Sequence, residues 1–168
     1  ILANNISQPN FEFSFSPSKE GDFKAILNIY TQYGLKTSNI VAKGVKPLIQ
    51  VENYNFGEVL ITKDSTIKKK SIINNGTSNL IINKIFLVGP SDEYFKLLDD
   101  NGSEIPEIID LVIEPNEEYE ISLKFKPLIA EIENARLRIE YINELNVPAI
   151  VHINLYGEGI NPILEYIN

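Results

Sequence analysis

The chain has 168 residues, 43% of them hydrophobic and 10% aromatic, enough to build a folded core and to exclude disorder as the default. Its formal net charge of -8 has the wrong sign for binding a phosphate backbone, and the one basic run, Lys68-Lys69-Lys70, reads as a solvated strand end. Cysteine is absent, which excludes disulfides and thiol catalysis, and no apolar run approaches the roughly 20 residues that a membrane-spanning helix requires.

Taken in order, Phe11, Phe13 and Phe15 alternate with Glu12, Ser14 and Ser16, which predicts a strand that Pro17 ends. Phe23 to Tyr30 alternates again, with Ala25, Leu27 and Ile29 on one face; Gly34 marks a hairpin, and Ser38 to Ala42 returns before Gly44. About three strands do not close a core, so the missing ones are expected from upstream sequence, from a partner or from the next module. Pro47 to Asn53 then opens a fuller set. It continues with Asn55 to Val59, with Ile67 to Ile73 ending in the turn Asn74-Asn75-Gly76-Thr77, and with Leu80 to Val88, stopped by Gly89-Pro90. Asn and Gly are placed in that first turn for their tolerance of positive φ. Tyr94 to Leu98, Leu111 to Ile113, Tyr119 to Lys126, Ala135 to Tyr141 and Val151 to Tyr156 complete the predicted strands. No helical period of apolar residues persists, and turn signals recur about every 8 to 12 residues, the pattern of a β-sandwich.

Two stretches repeat. Pro17 matches Pro127 and Ala25 matches Ala135 at an offset of 110, whereas Gly44 matches Gly159 and Pro47 matches Pro162 at 115. The second copy therefore has five extra residues in one turn. Pro162 to Asn168 restates Pro47 to Asn53, so residues 162–168 are expected to begin a further module. The expected organisation is an all-β, immunoglobulin-like tandem array: the C-terminal part of one module in residues 1–46, a complete module in 47–161 and the first strand of another in 162–168. With Ile at position 1, no Met anywhere and no leader pattern, the chain is expected to be a processed product or an excised piece.

Searches for chemistry return bland readings. His152 is the one imidazole; it shares parity with Asn154 and Tyr156 on the predicted outer face, and no Gly-x-Ser-x-Gly elbow accompanies it. Asp99-Asp100-Asn101-Gly102-Ser103-Glu104 alternates like a calcium loop, but its Gly is at the fourth position and no Glu stands at the twelfth, so a hairpin turn is the better reading. Glu114, Glu117, Glu118 and Glu120 read as a solvated face. No catalytic residue, cofactor or metal ligand is assigned.

The motifs in order are Phe56-Gly57-Glu58-Val59, Asn74-Asn75-Gly76-Thr77-Ser78-Asn79-Leu80, Phe95 with Leu97, Ile113-Glu114-Pro115-Asn116, Phe125-Lys126-Pro127, Ala135-Arg136-Leu137-Arg138-Ile139 and Leu155-Tyr156-Gly157-Glu158-Gly159. In this arrangement the chain resembles the ASH family, the immunoglobulin-like modules of Hydin and its ciliary and centrosomal relatives, related in fold to major sperm protein. Similar repeats occur in long bacterial envelope and secreted proteins. The resemblance implies a non-enzymatic scaffold, spacer, adhesion or filament module, with neighbouring modules or other protein chains as partners and neither nucleic acid nor membrane insertion. The expected location is the bacterial surface or the extracellular space, with a ciliary or cytoskeletal protein-binding scaffold as the alternative and a carbohydrate-binding domain behind both. Assembly by strand sharing between copies is a further expectation. The residues expected at inter-module contacts are Gly44, Lys46, Pro47, Lys68, Lys70, Gly159 and Pro162. Lys68 and Lys70 share parity with Ile72, so their stems are expected to lie along apolar surface with the ammonium groups reaching water.

Overall fold

A computed structural model describes residues 12–17, 19–63, 66–143 and 145–162, and the chain divides into two compact units, Ile1–Val45 and Lys46–Asn168. The first unit holds one antiparallel hairpin, β1 (Gly21–Thr31) and β2 (Gly34–Gly44). Its two-residue turn is held by Thr31, whose hydroxyl donates to the Gly34 carbonyl at 2.9 Å and accepts from the Tyr33 amide at 3.1 Å. Gly34 takes a φ of 110°, a region that Gly enters without a Cβ penalty.

The strand expected over residues 11–16 does not form: residues 12–17 are exposed and irregular, and Phe11 lies outside the described residues. Alternation alone does not make a strand, because the backbone N–H and C=O groups need a neighbouring strand, and none pairs here.

The second unit is a sandwich of two five-stranded sheets. Its strands are β3 (Ile49–Gln50), β4 (Tyr54–Leu60), β5 (Thr66–Asn74), β6 (Leu80–Val88), β7 (Phe95–Leu98), β8 (Glu104–Ile105), β9 (Glu107–Ile113), β10 (Glu118–Phe125), β11 (Ile132–Ile142) and β12 (Pro148–Ile160). One sheet has the order β3-β5-β10-β7-β8 and the other β4-β12-β11-β6-β9. All pairs are antiparallel except β12 with β4. One 3-10 turn, Asp92–Tyr94, precedes β7, so the predicted strand over 94–98 starts one residue late. Leu111 to Ile113 is only the end of the longer β9, and the two-residue β8 has too few residues for a period to register.

The core follows from strand alternation. Ile121, Leu123 and Phe125 on β10 face Ala135, Leu137 and Ile139 on β11 and Ile153 and Leu155 on β12, all buried. Phe56, Phe95 and Phe125 form the aromatic centre, the last two stacked with ring centroids 4.8 Å apart. Phe125 lies against Gly157, where a side chain would have to occupy the ring's space. The β9–β10 link is a tight turn in which Glu117 N–H donates to the Glu114 carbonyl at 3.1 Å and Asn116 takes a φ of 64°. Pro at the second position and Asn at the third suit that geometry.

Candidate functional site

Two places concentrate the features singled out from the sequence: the joint at Lys46-Pro47, and the paired hairpins β1–β2 and β11–β12. At the joint, Lys46 N–H donates to the Thr77 hydroxyl at 3.2 Å, and the Lys46 carbonyl accepts from Thr77 N–H at 2.8 Å and Ser78 N–H at 3.2 Å. The fully buried Asn74 completes the lock. Its Nδ2 donates to the Ser78 carbonyl at 2.8 Å and to the Ile113 carbonyl at 2.9 Å, while its Oδ1 accepts from Leu48 N–H at 3.3 Å and Gly76 N–H at 3.0 Å. One side chain thereby ties the module's opening segment to the β5–β6 connection and to the end of β9. A buried amide with its partners satisfied rigidifies its surroundings, whereas a half-satisfied one would be costly.

The expected positive φ in Asn74-Asn75-Gly76-Thr77 is not found, since none of these residues is in the left-handed region. Gly76 is needed for a different reason: a Cβ there would collide with the Lys46 carbonyl and sit 2.7 Å from the Pro47 carbonyl carbon. The joint was legible only as a turn. Its missed signal is Asn74 itself, a polar residue at the same parity as buried Ile72, where an apolar one is the rule.

The two hairpins share a register. Phe23 pairs with Ala42, Ala25 with Ile40 and Leu27 with Ser38; at the repeat offsets, Glu133 pairs with Gly157, Ala135 with Leu155 and Leu137 with Ile153. The glycines that close them do the same work. A Cβ on Gly44 would strike the Lys19 carbonyl and lie 3.1 Å from Pro17 Cβ; one on Gly159 would strike the Ile129 carbonyl and lie 2.8 Å from Pro127 Cβ. The five extra residues fall in the loop between Ile142 and Pro148, where Asn143 Oδ1 accepts from Leu145 N–H at 2.9 Å and Val147 N–H at 3.2 Å.

Of the residues expected at inter-module contacts, Lys46 and Pro47 meet at Gly76, Gly44 and Gly159 close their own hairpins, and Pro162 is exposed. Lys68 and Lys70 share β5, both only partly exposed. For Lys70 the structure adds partners to the expectation that the ammonium group reaches water. Its side chain is 16% exposed, its Nζ pairs with the Glu52 carboxylate at 2.6 Å, and it lies 5.9 Å from the centre of the Tyr54 ring. The ammonium thus ends at an exposed carboxylate beside an aromatic face. The hydrogen bond from Lys70, then its charge, hold the Glu52 carboxyl below the usual range.

His152 is half-buried on the outer face of β12, opposite Arg138. Burial, then the charges of Arg136 and Arg138, push its imidazole down from the ordinary value. Asp99 organises the predicted hairpin turn: its Oδ1 accepts from Asn101 N–H at 2.9 Å and Ser103 N–H at 2.8 Å, and Gly102 takes a φ of 80°. Among the described residues no three His, Asp or Glu side chains are grouped so as to hold a metal ion.

The fold defines a class: an immunoglobulin-like β-sandwich preceded by a hairpin of matching register. No family model matches the sequence, and no curated protein sequence matches it. Among solved structures, the chain is similar in fold to the ASH/PapD-like domain 7 of human CEP192, at 15% identity and a TM-score of 0.47, covering 70% of this chain and 87% of that one. A protein of unknown function from Porphyromonas gingivalis W83 aligns at 13% identity and a TM-score of 0.49, covering 86% and 68%. The YadV chaperone aligns at 12% and 0.44, covering 66% of this chain and 51% of its own. At such identities and TM-scores these likenesses carry no argument about what the chain does.

Proposed function

We propose that this chain is a non-catalytic structural and protein-interaction module of a tandem immunoglobulin-like array, serving as spacer or scaffold in a bacterial surface or extracellular protein. The observation that carries the reading is the common register of β1–β2 and β11–β12, closed in both by a glycine packed on a Pro and on the carbonyl two residues after it. Two segments that repeat their Pro, Ala and Gly spacing and also keep one pairing scheme and one close approach are explained most simply as two copies of a single module. Within the second unit, the bonds of Lys46 to Thr77 and Ser78 and of Asn74 to Leu48 hold the opening segment against the β5–β6 connection, so that unit begins in ordered backbone.

The absence of cysteine favours the bacterial setting over a ciliary one. Small-angle scattering on the whole natural polypeptide tests the array reading. A rod of evenly spaced units supports it, and a single globule discards it. Fractionation of the native cells tests the location, with recovery in the cytosol as the contrary result. A glycan array and a hydrolase substrate panel test the non-catalytic part, and turnover abolished by one substitution in the folded protein would end it.

A further inference from the structure

In the second unit β11 and β12 have no free edge. β6 runs antiparallel along β11, with Leu137 opposite Leu87 and Ile139 opposite Ile85, and β4 runs parallel along β12, with Glu158 opposite Glu58. In the first unit the same hairpin stands without these neighbours: β1 pairs only with β2 among the described residues. A strand edge without a partner presents a row of free N–H and C=O groups, the substrate for strand addition. The side chains agree. Ala25 and Leu27 hold the places of Ala135 and Leu137, which are 3% and 0% exposed, yet Ala25 is exposed and Leu27 half-buried. Ile26 and Val41 are 64% and 71% exposed, where the second unit has Arg136 and Tyr156. A groove of about 420 Å³ is lined by Lys24, Ala25, Ile26, Asn39, Ile40 and Val41.

Resting on the tandem-module reading, we propose that β1 is the acceptor edge for an antiparallel β-strand of the Leu80–Val88 kind, supplied by polypeptide that precedes the hairpin in the natural protein. The register carries over residue by residue. Leu27 takes the apolar residue that stands where Leu87 does, Ile29 the one at the place of Ile85, and Ile26 an apolar outer residue at the place of Val88. The opposite edge identifies the same source. Lys43 replaces Glu158, so a parallel strand with a carboxylate at the place of Glu58 meets a cation where the second unit sets two carboxylates side by side. A single preceding segment built like residues 54–88 delivers both strands, as that stretch does in its own sandwich.

The test uses the 168-residue chain, whose lack of cysteine gives a clean background. The probe is a synthetic peptide of the Leu80–Val88 sequence with solubilising lysines at its ends and Leu87→Cys. Mixed under mild oxidation with the Leu27→Cys chain, it is expected to form a mixed disulfide about tenfold faster than with the Asn28→Cys chain, because a one-residue slip turns the side chain to the other face. Amide exchange in β1 is expected to slow by a similar factor with the peptide and not with a scrambled one. Equal rates at both positions, or unchanged exchange, would overturn the acceptor edge. Concentration-dependent dimerisation of the chain alone that protects β1 would assign the edge to a second copy and overturn the preceding segment as donor. The module reading fails separately: without peptide, it is lost if the cross-strand amides of β1 and β2 exchange as in an unfolded chain.

Discussion

The hairpins β1–β2 and β11–β12 are built on one plan and differ in what surrounds them. Leu137, at the middle of β11, is fully buried by the facing sheet and flanked by β6 and β12, whereas Leu27, at the matching place of β1, is half-buried and, among the described residues, has a neighbouring strand on one side only. The pairing scheme therefore survives without the sandwich. Cross-strand backbone bonds and a tight turn set which residues face each other, while the depth of burial comes from strands far away in sequence.

The sharpest way to break this comparison is to remove the aromatic at the matching offset ahead of each hairpin. Phe125→Ala should cost about 3–5 kcal/mol in chemical denaturation, since a fully buried ring leaves a cavity between two sheets, while Phe15→Ala, at 46% exposure, should cost under about 1 kcal/mol. Equal costs would mean that the first hairpin has a core of its own. The joint comes next. Asn74→Ala strands the Ile113 and Ser78 carbonyls and the Leu48 and Gly76 amides, so a loss of about 2–3 kcal/mol is expected, together with faster exchange of the Leu48 amide. An unchanged Leu48 amide would show that the opening segment is held by something other than Asn74.

The two closing glycines give a matched pair of smaller effects. Gly159→Ala should destabilise the second unit by about 1–3 kcal/mol, because the atom in the way is the Ile129 backbone carbonyl and cannot rotate aside. Gly44→Ala meets the same obstacle at Lys19 and should accelerate amide exchange in β1 and β2 while leaving the second unit's denaturation midpoint unmoved. If Gly44→Ala changes nothing, the likeness of the two closures is superficial.

The smallest effect concerns pH. Glu52 has a folded value below the ordinary carboxylate range, so its contribution is complete above that range and is lost as pH falls through the lowered value; Glu52→Gln should flatten that part of the acid limb. His152 acts in the same direction. Its folded value lies below the ordinary imidazole value, so the unfolded chain binds the proton more readily, and stability declines as pH drops through that interval. A His152→Gln variant with an unaltered pH profile between the two values would refute the assignment.

Much of the fold was legible. A long apolar run stopped by Gly89-Pro90 fixed β6 to the residue, alternation placed β10, β11 and β12 to within a few residues, and turn signals bounded β4 and β5 as closely. Alternation misled at residues 12–16, where Phe13 and Phe15 are regularly spaced and no partner strand is found among the described residues. Lys46 and Pro47 were expected at a contact between modules; the contacts the structure gives them, to Gly76, Thr77 and Ser78, lie within the second unit, and no pattern in the sequence pointed to those partners. The lock depends on a buried Asn at the end of β5 and on a carbonyl from β9, and those meet only in three dimensions.

What the sequence settled alone was local: strand content, turn positions, and the duplicated spacing whose five-residue difference falls in one loop. These follow from side-chain period and backbone preference, which need nothing beyond a few neighbouring residues. Only the tertiary structure decided that β4 joins β12 in parallel, that Lys70 meets the Glu52 carboxylate, and that one hairpin is flanked on both sides while its counterpart pairs, among the described residues, only with itself. Each of these depends on groups brought together from distant positions, and no pattern within a strand encodes who its neighbours will be.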